Sequence, residues 1–312
     1  MRGCRAPGRV RRVPALALFC RAALGWIAVL LLFACRSPGH AVTLVFVGDV
    51  MLGRGVAAAL DGDWAAAFPA LSTGTDVRSW LAEADLAFAN LESPLTTAPF
   101  AGGRFDLRAP PEAVSALTHA GFDVVSVANN HALDGGAVGL KETLGTLERA
   151  GILALTEATV HYRSHDRIAL VAYCDAGQPL DLTPIDQAAA QADLVVVSVH
   201  WGAEYHEVTA RQRALARELV AAGADLIIGH GPHVLQPVER VGGAWVAYSL
   251  GNFLFDQAFD DTRRGAILRI MLDRGSIVAV QAIPTVMRHG RVQLATGDEA
   301  TAILDRLQLS TD

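Results

Sequence analysis

From Val42 onward, short apolar runs rich in β-branched residues recur at Val42–Val47, Leu86–Ala89, Val124–Val127, Ile168–Tyr173, Leu194–Val199, Leu226–Ile228 and Trp245–Tyr248. The runs are continuous rather than alternating, which predicts strands covered on both faces. Between them, the stretches Val77–Ala84, Pro111–Ala120, Val138–Ala150 and Thr209–Ala222 predict helices, the last with Thr209 as N-cap and Gly223 as its stop. Short links at Ala84-Asp85, Gly121-Phe122-Asp123, Ala192-Asp193 and Ala224-Asp225 have the length expected between helix and strand in α/β units. After Gly251 the pattern changes. Ala266–Leu272 and Ser276–Ile283 predict antiparallel strands about an Asp273-Arg274-Gly275 turn, and Val286–Leu294 predicts a further pair. No repeat or linker divides this body, so one α/β domain is expected over residues 42–312.

Residues 1–41 have a different character. Seven arginines and no acid accompany an apolar stretch in which Ala22–Cys35 is free of charge. A basic start, a short apolar middle and small residues at Gly39-His40-Ala41 predict a secretory signal peptide. Leu32-Phe33-Ala34-Cys35 is similar to a lipobox, which would make the segment a lipoprotein leader modified at Cys35. A third reading retains the segment as an anchor, with Pro14–Cys35 spanning and Arg21 snorkelling. All three readings predict an exported protein, periplasmic or at the cell surface.

Charge sharpens the contrast. The chain of 312 residues carries 32 acidic and 26 basic side chains, and seven of the basic ones lie in the leader. A body this acidic excludes nonspecific nucleic-acid binding, which needs clustered Lys and Arg. Hydrophobic residues make up 52% of the chain, enough to exclude disorder. Cys174 is the body's one cysteine, so the fold has no internal disulfide and no thiolate zinc cluster.

The polar residues gather just past strand ends: Asp49, Asn90-Leu91-Glu92, Asn129-Asn130-His131 with Asp134, His200 to Glu204, His230 with His233, and Ser249 to Asn252. Ligands of open α/β sheets bind beyond the carboxyl ends of the strands. Each residue alone has an ordinary explanation as a cap, a turn former or a bonded core imidazole. Together they form a donor set of carboxylate, amide oxygen and imidazole, which suits one or two borderline divalent ions such as Mn, Fe or Zn.

The motifs Gly48-Asp49-Val50-Met51-Leu52-Gly53-Arg54, Asn90-Leu91-Glu92-Ser93-Pro94, Ala128-Asn129-Asn130-His131-Ala132-Leu133-Asp134, His200-Trp201-Gly202-Ala203-Glu204-Tyr205, Gly229-His230-Gly231-Pro232-His233 and Tyr248-Ser249-Leu250-Gly251-Asn252-Phe253 resemble the CapA family, associated with poly-γ-glutamate capsule synthesis. That family is similar to the calcineurin-like metallophosphatases. The resemblance implies a four-layer α/β/β/α metallophosphatase-like sandwich with metal ligands Asp49, Glu92, Asn130, His200, His230 and His233. It places His131 beside the leaving group, with Asp134 to orient it. Arg54, Glu204 and Asn252 are expected to meet substrate.

Three departures stand out. Glu92 replaces the usual bridging Asp, and two residues rather than one separate His230 from His233. Met51 occupies the position of a usual ligand His, so one metal position is expected to be a ligand short, with Met51 pointing where that His would.

Two functional classes follow. One is a metal-dependent hydrolase acting on a phosphoester or a γ-glutamyl bond. The other is a non-catalytic, metal-dependent component that binds an anionic polymer during its assembly or export, within a membrane polymer-synthesis complex. In that case a local basic patch, at Arg104 and Arg108 or at Arg263-Arg264, would offset the acidic body.

Overall fold

In the computed structural model of the chain, the structure describes residues 41–70, 74–163 and 167–309. The leader, Cys35 included, lies outside the described residues. The chain begins with β1 (Val42–Val50), α1 (Arg54–Leu60), α2 (Val77–Ala82), β2 (Leu86–Leu91), α3 (Val114–Ala120), β3 (Val124–Ser126), α4 (Gly136–Arg149) and β4 (Leu153–Leu155). Next come β5 (Val160–Arg163), β6 (Ile168–Cys174), α5 (Thr183–Ala189), β7 (Leu194–His200), α6 (Ala210–Ala221), β8 (Leu226–His230), β9 (Leu235–Val241) and β10 (Ala244–Leu250). It closes with β11 (Asn252–Leu254), β12 (Arg264–Asp273), β13 (Ser276–Arg288), β14 (Arg291–Leu294) and α7 (Gly297–Leu307).

Among the described residues, the strands form two sheets. The first has the order β14-β13-β12-β1-β2-β3-β4, with β11 also paired to β1, and the second runs β5-β6-β7-β8-β10-β9. The parallel strands β1 to β4 and β6 to β8 form the two centres, and antiparallel pairs flank them. Side chains two apart share a face of a strand. In β1 and β2, Leu44, Phe46, Leu86 and Phe88 meet Leu170, Val196, Leu226 and Ile228 of the second sheet. Their neighbours Val45, Val47, Ala87 and Ala89 pack with Val56, Leu81, Leu117 and Leu147 of α1 to α4. On the far side, Val171, Val195, Val197 and Ile227 pack with Ile185 of α5 and Leu215 and Leu219 of α6. The layers are therefore helix, sheet, sheet, helix. Each large apolar side chain buried at the seam contributes about 1.5–3 kcal/mol.

The predicted strands and helices appear, except that Ser276–Ile283 and the first half of the pair expected over Val286–Leu294 are one strand, β13; Thr209 caps α6 in a capping box with Gln212. Other elements were not anticipated. α1, β5, β9, α5 and α7 lie where the chain shows no strong hydrophobic period.

Met51 corrects an expectation. The pairing of β1 shifts register between Asp49 and Val50, so the two-residue alternation breaks there. Met51 is fully buried in the helix-side core, and its sulfur accepts the Gly53 N–H at 3.0 Å. A histidine there would be buried in the apolar layer instead of completing a ligand set.

Candidate metal centre

Strand parity delivers the cluster. In β7, Leu194 and Val196 face the seam, and the same spacing puts Ser198 and His200 on that face. In β8, Leu226 and Ile228 do likewise, so His230 ends the strand at the seam, its ring 6.0 Å from that of Phe88 in the other sheet. The first sheet contributes Asp49 from β1 and Asn90 and Glu92 from the end of β2. Asp49, Asn90, Glu92 and His230 are at most 1% exposed.

The seam thus sets carboxylates from one sheet against imidazoles from the other. Asp49 lies 3.4 Å from His230 Nδ1 and 3.2 Å from His233 Nδ1. Glu92 Oε1 lies 3.5 Å from His200 Nε2 and 3.8 Å from His233 Nε2. Ligand atoms of Asp49, Glu92 and His233 lie within 4.8 Å of one another, a group able to hold a metal ion. The extra residue between His230 and His233 is absorbed by left-handed backbone at Gly231 (φ 103°) and His233 (φ 59°), which returns the second imidazole to Asp49. A Cβ at Gly231 would meet His200 Cε1 at 2.8 Å, so glycine is required there. Strain at a non-glycine residue such as His233 is a common mark of functional sites.

The donor set fits a borderline divalent cation. Both oxygens of Glu92, Nε2 of His200 and both ring nitrogens of His230 are buried with no hydrogen-bond partner. Leaving such groups unmatched costs about 1–3 kcal/mol each, more for a charge. Carboxylate and imidazole together suit Mn, Fe or Zn. The electrostatics point the same way. Burial opposes ionisation of Asp49, but the His230 and His233 imidazoles beside it outweigh that and hold its carboxyl well below the usual range. Burial also works against a proton on His200, yet Cys174 and the Glu92 carboxylate push it up to about 10. His233 is likewise pushed up to about 9, burial being outweighed by Glu92 and Asp49. Opposite charges hold the cluster together, and a bound cation would take the place of those protons.

The remaining expected residues divide. His131 Nδ1 lies 2.9 Å from Asp134 Oδ2, which also accepts the Leu107 N–H at 2.9 Å, so the pair is assembled. Asn130 is exposed, and its neighbour Asn129 is the buried one. The Asn129 amide donates to Asn90 Oδ1 at 3.1 Å and to the Leu91 carbonyl at 2.9 Å. Asn90 in turn donates to Asp49 Oδ1 at 2.9 Å. No role was read for Asn90 or Asn129; the signal was an amide at the last inward position of β2 and another just past β3.

Asn252 also differs from expectation. It is 1% exposed. Its oxygen lies 3.0 Å from His233 Nδ1, and its amide donates to Gln257 Oε1 and the Thr262 carbonyl. With every polar atom engaged, it orients His233 rather than touching substrate. Arg54 is part-exposed at the start of α1, paired to Asp256 at 3.1 Å. Glu204 is exposed on the loop after β7 and stands outside the ligand group. Beside it Tyr205 sets its ring 6.1 Å from His233, and its hydroxyl accepts from Gln257 at 2.9 Å.

Comparison with known proteins identifies the family. The chain matches the family described as "Bacterial capsule synthesis protein PGA_cap" over residues 43–175 and 156–257. It is 32% identical to the PGA biosynthesis protein CapA of Bacillus subtilis over 77% of this chain and 70% of that one. It is 31% identical to the capsule biosynthesis protein CapA of Bacillus anthracis over 80% of this chain and 68% of that one. Among solved structures, a phosphatase from Mycoplasma pneumoniae superposes with a TM-score of 0.52 at 12% identity, covering 82% of this chain and 95% of that one, a likeness of fold alone. The chain belongs to the PGA_cap family of bacterial capsule synthesis proteins.

Proposed function

We propose that this member of the capsule synthesis family is an exported, metal-dependent hydrolase that cleaves a phosphoester or γ-glutamyl bond in the making or processing of an anionic cell-surface polymer. The observation that carries the reading is the convergence of Asp49, Glu92, His200, His230 and His233 at one seam, with the Glu92 oxygens, His200 Nε2 and both His230 ring nitrogens lacking hydrogen-bond partners. These five residues would hold the cation. A divalent ion bound there supplies Lewis acidity and makes water nucleophilic near neutral pH. The chain's own contribution is proton handling and orientation. His131, held at Nδ1 by Asp134, is fixed to present Nε2 to a leaving atom and protonate it. Asn252 fixes the His233 ring, and the Asn129-Asn90 ladder fixes Asp49.

Full chain purified without chelator should contain Mn, Fe or Zn by elemental analysis and turn over a bis-aryl phosphate or a γ-glutamyl anilide, with turnover lost in His131→Ala. A metal-free protein, or a loaded one that turns over neither probe, would sink the hydrolase reading. Metal and polymer binding without turnover is instead the signature of a non-catalytic component of polymer assembly. Export rests on the basic, then apolar, character of residues 1–41. N-terminal sequencing of envelope and secreted fractions tests it, and an intact Met1 on cytosolic protein would refute it.

A further inference from the structure

In so acidic a chain, positive charge left over near the cluster is informative. The cleft of about 540 Å³ lined by Arg263, Arg264 and Arg288 has little to spare. Those arginines lie 3.6 Å from Asp260, 2.9 Å from Asp261 and 2.6 Å from Glu299, respectively. The loop of residues 98–109 differs. Its Arg108 is spent internally, on Asp106 at 2.7 Å and on the Ala98 carbonyl. Arg104 is exposed, and among the described residues it has no acid partner. Its guanidinium lies 4.9 Å from the ring centroid of Phe105, itself 43% exposed. Arg54 lies 5.7 Å from the same ring.

This pair of cations stands beside the proton-handling dyad. Leu107, two residues past Phe105, donates its N–H to the Asp134 carboxylate that holds His131. Gly53, just before Arg54, packs so closely on this loop that a Cβ would approach the Arg108 carbonyl to 2.5 Å. The loop and the start of α1 are thereby locked together next to the cluster.

We propose that Arg54, Phe105 and Arg104 form a second anion subsite, which takes a carboxylate of a polycarboxylate chain outside the bond attacked at the cluster. The proposal rests on the hydrolase reading only for that last placement. Cation–π contacts set both guanidiniums against one exposed ring. An incoming oxyanion meets there a planar fork suited to bidentate pairing. Arg54 is already matched by Asp256, so the surplus is close to one positive charge. That suits a singly charged carboxylate better than a dianionic phosphate, and that the carboxylate belongs to a chain rests on the polymer named in the proposed function.

The test is equilibrium binding of labelled poly-γ-glutamate to full-length protein at low salt, with polyphosphate as the competing polymer. Arg104 is exposed, so its replacement leaves the core untouched. Arg104→Glu should weaken poly-γ-glutamate binding about tenfold, and Arg104→Lys should restore part of it. Polyphosphate binding should fall by a smaller factor. Parental affinity in Arg104→Glu, or an equal loss for both polymers, would overturn the subsite. Metal content and turnover measured on the same samples separate the two readings. A metal-loaded, active parent with no Arg104 dependence removes the subsite alone, and an inactive parent with Arg104-dependent binding removes the hydrolase alone.

Discussion

The two carboxylates of the cluster live in opposite circumstances. Asp49 is saturated: Asn90 donates at 2.9 Å, the Gly231 N–H at 3.2 Å, and two imidazoles stand beside it. Glu92, equally buried, has no hydrogen bond to either oxygen, and its neighbour His200 has none at Nε2. His233 joins the two corners, Nδ1 toward Asp49 and Nε2 toward Glu92. One corner is held by the protein's own hydrogen bonds, whereas the other would be completed by a bound cation. A buried carboxylate without a hydrogen-bond donor is a standing cost in the fold, of the kind proteins retain at working sites.

The largest expected effect would break that asymmetry outright. Asp49→Asn and Glu92→Gln should each weaken metal binding by more than about 100-fold, since both remove a charged ligand. Their effects on the metal-free protein should diverge. Asp49→Asn dismantles a hydrogen-bonded corner and should lower the Tm most, whereas Glu92→Gln loses only the longer contacts to His200 and His233 and should lower it less. Calorimetry of chelated samples decides, and an equal fall in Tm for both would show the corners to be alike.

Next in size is the support of the joint itself. Asn252→Ala frees the His233 ring and should weaken metal binding about 10- to 100-fold, with the fold retained. Metal titration of apo-protein measures it, and an unchanged affinity would mean His233 needs no such orienter.

The smallest effect sharpens the comparison through pH. His200 and His233 have folded-state values of about 10 and about 9, above the ordinary imidazole value of 6.5. Their contribution to the metal-free fold is therefore complete below pH 6.5 and is lost as pH rises through 9 to 10. The Tm of metal-free protein should fall across that window. Metal binding requires neutral imidazoles, so affinity should rise with pH from 7 toward 9. Affinity that is flat over this range would mean the imidazoles are already neutral.

Much of this was legible in the chain. Continuous apolar runs such as Leu194–Val199 marked strands covered on both faces, because only a layer between two others buries every side chain of a run. The polar residues just past those runs marked the working edge, and Asp49, Glu92, His200, His230 and His233 meet there. Such patterns are local, set by a two-residue period and by where it stops. What eluded local reading depended on contacts between distant segments. The slip in β1 turns Met51 into the helix-side core because β11, some 200 residues later, pairs with Asp49 and Val50 out of step. Asn252 became a support for His233 once β10 and β8 lay side by side and the turns after them met. Whether an arginine is neutralised can likewise be settled across space: Arg54 finds Asp256, some 200 residues later in the chain. Periodicity encodes which face a side chain takes, but its partner is set by the packing of segments far apart in the chain.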